Sequence, residues 1–333
     1  MSRLRKPGRT SPRRRTAAVL RAAVLFPLIL AAGLAVLASC SFDLDYDKYA
    51  IVYGISDYPP AGNSPPNNDL YSTDDDARDV ASLLTSQGFQ VILRVTDHGT
   101  GEKDANAAQL VDDFNTAATA ANLDSGDLFL FFYSGHGDQV SQLPGTSEDS
   151  PGSDAQDEAL VLVDAAVANI VTLRDDELAE LIRTIPCARR VVILDACFSG
   201  GFVSNPLDAQ AIPPDYSDGS YGIFEILGNA FYLYANFQDF GSDIPPGEAL
   251  VIAASGEQDF AYESGGNGVM TTYLLESAAN GDRNRDGFVT VSESYYYIYR
   301  NIDENFNAVA WPYSDVFFPH TSGGPVDYIL FTK

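Results

Sequence analysis

Three observations in this sequence predict an α/β sandwich of three layers, a mostly parallel central sheet with helices on both faces. Apolar runs of strand length alternate with segments of helical periodicity from residue 48 to residue 304. Several of the runs, LFLFF at 128–132 and VVIL at 191–194 among them, are apolar without interruption, as strands covered on both faces are. Two of the runs end in a glycine-flanked reactive side chain, SGHG at 134–137 and DACFSGG at 195–201. In open α/β sheets, ligands bind just past the carboxyl ends of strands.

The elements follow in order. KYAIVYGI (48–55) reads as the first strand. STDDDARDVASLLTSQGF (72–89) reads as a helix with an acidic first turn, closed by Gly88. QVILRV (90–95) is a strand, the Ala-rich segment 105–121 a helix, and DLFLFFY (127–133) the all-apolar strand that leads to His136. DEALVLVD (157–164) reads as a short strand, LRDDELAELIRTI (173–185) as a helix and RVVILDA (190–196) as the strand that leads to Cys197. EALVIAAS (248–255) is a further strand, GVMTTYLLESA (268–278) a helix, 290–304 a last helix, and VDYILF (326–331) an edge strand. Two stretches interrupt the alternation: an acidic, Ser/Gly/Pro-rich loop at 138–156, and residues 202–247, rich in Pro, Tyr and Phe and without Lys or Arg. A loop of that length is functional or disordered, and its aromatic content argues that part of it packs.

The first 39 residues stand apart from this pattern. Residues 3–21 hold eight basic side chains and no acidic one, and an apolar segment, AAVLFPLILAAGLAVLAS, follows up to Cys40. A charged start followed by an apolar core is an export signal, and the run PRRRT suggests the twin-arginine route. Leu37-Ala38-Ser39-Cys40 resembles a bacterial lipobox, which implies cleavage before Cys40, lipid on its sulfur and a protein anchored in the bacterial cell envelope. The alternative is an uncleaved membrane helix, since the segment is almost long enough to span. The expected organisation is a signal peptide at 1–39, a short linker at 40–47 and one domain at 48–333.

Of the 20 basic residues 12 lie beyond residue 39, against all 46 acidic ones, so the mature chain carries a formal charge of −34. Such a surface repels nucleic acid and anionic lipid and attracts cations and basic peptides. Besides Cys40 only Cys187 and Cys197 occur. Exported proteins use paired cysteines as disulfides, but these two flank a strand. The nine residues between them, extended at ~3.3 Å each, hold them beyond disulfide reach. Cys197 is therefore expected as a free thiol, and Cys187 as packing.

A free thiol at one strand end and an imidazole at another are suited to nucleophilic catalysis. Adjacent parallel strands would set His136 and Cys197 side by side; a neighbouring imidazole lowers a thiol's pKa and takes its proton. The backbone N–H groups of Gly137 and Cys197 could face a developing oxyanion. Singly, each residue reads as well as a structural His and a buried Cys.

FYSGHG and DACFSGG resemble the two signature segments of the caspase-like cysteine peptidases, specifically the bacterial metacaspase-type members. ALVIAASGEQDFAYE with GVMTTYLLES, and YAIVYGISDY with DDDARDVASLL, resemble the family's later and earlier parts, so that the likeness covers residues 48–304. It implies a caspase-like sandwich with His136 as general base, Cys197 as nucleophile and no required third member. It also implies a pocket for the side chain before the scissile bond, lined by Asp195, by Asp76 (Asp75 is the register alternative) and by Ser134. Two carboxylates in a partly desolvated slot select Arg or Lys, because a buried charge needs an opposite one. The chain has no basic residue between Arg190 and Arg283, so an enzyme of this specificity could not cut its own 202–247 loop.

DRNRDGFVTVSE (282–293) matches the spacing of an EF-hand loop. Asp282, Asn284, Asp286, the Phe288 carbonyl, Thr290 (directly or through water) and Glu293 fall at loop positions 1, 3, 5, 7, 9 and 12, and Gly287 at position 6. The expected cation is Ca2+, bracing this corner rather than switching catalysis; a solvated acidic turn is the alternative, as EF-hands ordinarily come in pairs. The resemblance suggests a second acidic site between the two signatures, with Asp154, Asp157 and Glu158 as ligands. The expected function is thus a lipid-anchored cysteine endopeptidase acting on peptides with basic residues. The rival is a non-catalytic, calcium-binding surface lipoprotein on the same fold, and a serine hydrolase using Ser134 or Ser199 is a distant third.

Overall fold

Val, Ile, Phe and Tyr concentrate in the runs that become strands, and the helices fall where apolar residues recur at helical spacing. The computed structural model describes residues 46–59, 69–120, 122–141, 156–197, 199, 244, 248–255, 261–264, 266–310, 317–322 and 327–333. In chain order the elements are β1 (Lys48–Ile55), α1 (Thr73–Ser86), β2 (Phe89–Thr96), α2 (Ala107–Ala118), β3 (Leu128–Ser134), β4 (Gly137–Ser141), β5 (Gln156–Val163), β6 (Ile170–Arg174), α3 (Asp175–Thr184), β7 (Arg189–Asp195) and β8 (Leu250–Ala253). There follow β9 (Glu263–Ser264), β10 (Asn267–Gly268), α4 (Val269–Asn280), β11 (Phe288–Thr290) and α5 (Val291–Asn301). A π-helical stretch, Ile302–Asn307, runs from α5 into α6 (Ala308–Ala310), and β12 (His320–Thr321) and β13 (Ile329–Thr332) complete the order.

The main sheet has the order β12-β8-β7-β3-β1-β2. All its pairs are parallel except β12 with β8. Its central strands are buried along their whole apolar length, β3 at every position. The pleat turns Ile51, Tyr53, Phe129, Phe131, Val192 and Leu194 to one face, where they pack with Leu110 and Phe114 of α2 and Leu178 and Ile182 of α3. Gly54 lies on the other face. A Cβ there would stand 2.4 Å from the Thr73 carbonyl oxygen and 2.6 Å from the Ala77 Cβ, so the missing side chain lets the start of α1 rest on the end of β1. α4 packs beside α1 on that face, giving the three layers expected.

Three departures from the sequence reading concern strands, and a fourth concerns the end of a helix. Residues 137–141, expected as the beginning of a loop, form β4, which pairs antiparallel with β5, and β5 with β6, in a separate sheet. The segment 157–164 is therefore a strand outside the main sheet. The segment at 326–331 is not the edge of the main sheet: β13 pairs with β11 in a two-stranded sheet, and β12 supplies the edge instead. The helix expected at 290–304 continues as the π-helical stretch. β4, β11, β12 and β13 carry too few residues for a clear period-2 pattern, and their partners are chosen by tertiary contact.

Asp47–Lys333 form one compact unit. The export segment and Cys40 lie outside the described residues, as does nearly all of 202–247, of which Ile244 is described and buried. Among the described residues no helix is long and apolar enough to cross a membrane. Cys187 and Cys197 are both free, as expected.

Candidate active site

The register of β3 and β7 places the two reactive segments together. Ser134 is the partner of Asp195 at the last step of the ladder. Each chain then runs two residues further, to His136 and to Cys197. The ladder extends by one bond from the Gly135 amide to the Asp195 carbonyl, at 3.3 Å. Beyond it the segments touch: a Cβ on Gly137 would lie 1.9 Å from the Cys197 carbonyl oxygen, so only glycine fits.

Cys197 is partly exposed, its Sγ 3.9 Å from the Ala261 carbonyl oxygen. Burial pushes the thiol above its ordinary pKa; the Ala261 bond opposes this in part, and the negative charges of Asp195 and Glu263 add smaller upward shifts. The sequence reading expected the imidazole to lower this pKa. The balance at the site runs the other way because the surroundings are both dry and acidic. The side chain is thus held as a thiol, and a base must remove its proton before it can attack.

His136 lies between β3 and β4, and its main chain is anchored on both sides. Its amide donates to the Tyr58 hydroxyl oxygen at 2.9 Å. Its carbonyl accepts from the Val161 amide at 2.9 Å and from the Tyr133 hydroxyl at 2.9 Å. The Tyr58 ring stands against the imidazole with centroids 4.6 Å apart. Gly135 has no side chain because the two phenol oxygens fill that space, 2.5 and 2.6 Å from where its Cβ would be. Burial pushes the pKa of both Tyr58 and Tyr133 above the ordinary tyrosine range, so each stays a neutral phenol.

Beside these segments lies an acidic slot. Asp76 is fully buried and Asp195 nearly so. The Ser134 hydroxyl donates to Asp76 Oδ2 at 2.7 Å and the Gly268 amide to Asp76 Oδ1 at 2.8 Å. Asp195 Oδ2 accepts from the Thr271 amide at 3.0 Å and the Thr271 hydroxyl at 2.6 Å. A Cβ on Gly268 would be 2.3 Å from Asp195 Oδ2 and 3.0 Å from Asp76 Oδ2, so both carboxyl groups flank this one residue. The start of α4 supplies the amides, which have no partner within the helix. These donors are all uncharged. Burial raises the pKa of both carboxyl groups; the Asp195 charge raises Asp76 further, and the Glu263 charge raises Asp195. Asp75 is exposed, so the register alternative falls to Asp76.

Sequence reasoning missed the residues that hold this arrangement. Glu263 Oε1 accepts from the Ser72 amide at 2.8 Å, the Ser72 hydroxyl at 2.9 Å and the Tyr71 amide at 3.1 Å, tying β9 to the start of α1. Ser72 consequently does not cap α1 with its side chain. Tyr58, Tyr133, Thr271 and Glu263 all act across large separations in the chain, and no local pattern marks them. The nearest signal was their presence inside the quoted family-like segments.

The 282–293 loop is closed as one turn by hydrogen bonds with its own side chains. Asp282 accepts from the Asp286 and Gly287 amides, both at 3.2 Å, and Asn284 Oδ1 from the Asp286 amide at 2.9 Å. Glu293 Oε1 reaches back to the Arg283 and Asn284 amides, while Oε2 accepts from the Thr290 amide as half of the capping box of α5. Gly287 has φ 89° and Arg285 φ 62°, the left-handed backbone that such a tight turn needs. Phe288 and Thr290 belong to β11. Lys333 Nζ stands 3.9 Å from Asp282 Oδ2. The donor set is all oxygen with three carboxylates, which fits a hard cation.

The second acidic site does not assemble among the described residues. Asp154 lies outside them, Asp157 is described only by its pairing with Val140, and Glu158 is buried with its Oε1 accepting from the Gln139 side-chain Nε2 at 3.1 Å. A further group of ligand type, Asp57, Asp69 and His98, has one atom from each within 4.8 Å of the others. In it His98 turns Nε2 to Asp69 at 2.8 Å and Nδ1 to Asp57 at 3.7 Å. Cys187 is buried, and burial pushes its thiol up to about 11, which suits packing.

The family model described as the caspase domain of the C14 peptidases matches residues 47–311. Among solved structures the chain is similar to a Geobacter sulfurreducens protein at 23% identity, over 84% of this chain and 95% of that one, with a TM-score of 0.53. It is also similar to caspase-1 of Spodoptera frugiperda at 11% identity, over 88% and 95%, with a TM-score of 0.47. No curated protein matches.

Proposed function

This chain belongs to the caspase-domain family of cysteine peptidases, and from that premise we propose that it is an endopeptidase that cuts after Arg or Lys with Cys197 as nucleophile and His136 as base. The observation that carries the reading is the meeting of the His136 and Cys197 segments at the ends of β3 and β7, beside two buried carboxyl groups whose donors carry no charge. A guanidinium or ammonium entering the slot would meet Asp76 and Asp195, with Glu263 adding to the negative field. An acidic side chain would meet only repulsion.

The chemistry follows from a thiol that needs a base and an imidazole segment beside it. His136 takes the Cys197 proton as Sγ attacks the substrate carbonyl. The amides of Gly137 and Cys197 face the oxyanion. Collapse breaks the peptide bond, the imidazolium gives its proton to the leaving amine, and a thioester remains on Cys197. Water gives a proton to the His136 imidazole as its oxygen adds to the thioester; the C–S bond then breaks, the acid leaves, and Cys197 takes that proton back as a thiol. Ser134 is committed to Asp76, and Ser199 is buried with its hydroxyl oxygen facing the Ser255 amide, so neither suits the nucleophile's role. The 282–293 loop is proposed to take Ca2+, and the export segment to leave a lipid on Cys40 at the cell envelope.

The test offers the full chain, with reductant and Ca2+, fluorogenic peptides ending in Arg, Lys or Asp. Turnover of the first two only, abolished in Cys197→Ala, is expected. Turnover that survives in Cys197→Ala, or preference for Asp, would contradict the proposal. No turnover of any peptide would favour the binding-module rival.

A further inference from the structure

We propose that Tyr58 is a positioning residue of the site, fixing the His136 imidazole by a hydroxyl-to-backbone bond and a ring contact; this rests on His136 being the base. His136 needs such help. It sits between two strands with Gly135 before it and Gly137 after it, and glycines on both sides widen the range of backbone angles open to the segment.

Tyr58 removes that freedom from outside the sheet. Its hydroxyl oxygen accepts the His136 amide at 2.9 Å, stands 3.3 Å from the Tyr133 hydroxyl and bonds the Val161 carbonyl at 3.2 Å. Its ring meets the imidazole at 4.6 Å, tilted by 55°. The hydroxyl bond sets where residue 136 sits, and the ring limits which way the imidazole turns.

Tyr58 is itself tied down. Its amide donates to Asp69 Oδ1 at 2.9 Å, and Asp69 Oδ2 meets His98 Nε2 at 2.8 Å. A brace thus runs from the surface pair through residue 58 to the imidazole. Core filling alone would not need this hydroxyl. A phenylalanine would occupy nearly the same volume but leave the His136 amide without its acceptor. A catalytic group displaced by about 1 Å can cost on the order of a hundredfold in rate.

The experiment compares Tyr58→Phe, which keeps the ring, with Tyr58→Leu, which keeps neither contact, and with His136→Ala. The readouts are kcat and KM on an Arg-terminated peptide, the pH profile of kcat/KM, and the pH dependence of Cys197 alkylation by iodoacetamide. The last reads the Cys–His pair with no substrate present. The expected result is an unchanged KM, a kcat lower by about tenfold in Tyr58→Phe and about a hundredfold in Tyr58→Leu, and a displaced pH profile in both. Wild-type kcat and pH profiles in the two Tyr58 variants, with His136→Ala inactive, would overturn the positioning role alone. Full activity and alkylation in His136→Ala would overturn the base and this proposal together. If neither Tyr58 variant folds, Asp69→Ala decides: a severalfold loss of kcat at constant KM supports the brace, and wild-type kinetics refute it.

Discussion

Asp76 and Asp195 each turn a carboxyl oxygen toward Gly268 in a slot that water barely reaches. Burial holds both above their ordinary pKa of 3.8, so the folded chain keeps protons that the unfolded chain releases. Stability therefore falls as pH rises from the ordinary carboxylate range, near pH 4, up through the raised values; this is the reverse of the usual Asp case. Asp76→Asn removes that cost and keeps an oxygen for the Gly268 amide. Its melting temperature, followed from pH 5 to pH 9, should exceed that of the wild type by a margin that grows with pH and reaches about 2–4 °C. The same variant should lose cleavage after Arg and Lys. A margin that stays flat across the range would mean that Asp76 is not the strained group. The slot was legible only through the family resemblance, which assigns it to Asp195, two residues before Cys197, and to Asp76 in the first helix motif. Glu263 and Thr271 were not legible, because only the docking of β9 and α4 brings them to the slot.

At the scale of elements, the calcium-type loop is joined to a strand from far along the chain. β11, which carries loop positions 7 to 9, pairs with β13, and the Lys333 amide donates to the Gly287 carbonyl at 2.9 Å. An ion held by Asp282, Asn284, Asp286, Thr290 and Glu293 would thus fix β13 as well as α5. Binding to the folded form alone stabilises it by about 2.7 kcal/mol at a hundredfold excess over Kd. Calorimetry with and without Ca2+ should show a rise in melting temperature for the wild type and none for Glu293→Gln, which keeps the capping box of α5. An equal rise in both proteins would place any ion elsewhere. Peptide turnover well below the transition should not change with Ca2+, since the loop contributes no side chain to the acidic slot. The motif was readable because ligand spacing is local. The strand that completes it was not, since four residues of β13 are compatible with several partners.

For the whole molecule, the apolar runs were enough to foretell the parallel sheet, because strands buried on both faces leave an unbroken signature in the sequence. The antiparallel β4–β5–β6 sheet was hidden: β4 is the five residues GDQVS, which read as loop. The distribution of charge bears on maturation. With no Lys or Arg between Arg190 and Arg283, an enzyme specific for basic residues has no bond of its own to cut in the long segment after Cys197. Intact-mass measurement of active protein extracted with detergent should find one uncut chain that begins at Cys40 and carries acyl mass. Two chains divided within 202–247 would contradict the specificity, and an unmodified Cys40 would contradict the anchor.

Gly137 has a consequence for how related chains are to be judged. Where its Cβ would be, the oxygen of Cys197 already lies 1.9 Å away, so a relative with any other residue there could keep both reactive groups and still be inert. Inventories of cysteine and histidine would then overcount working enzymes, and a single hydrogen in place of a methyl group would be the better marker of competence.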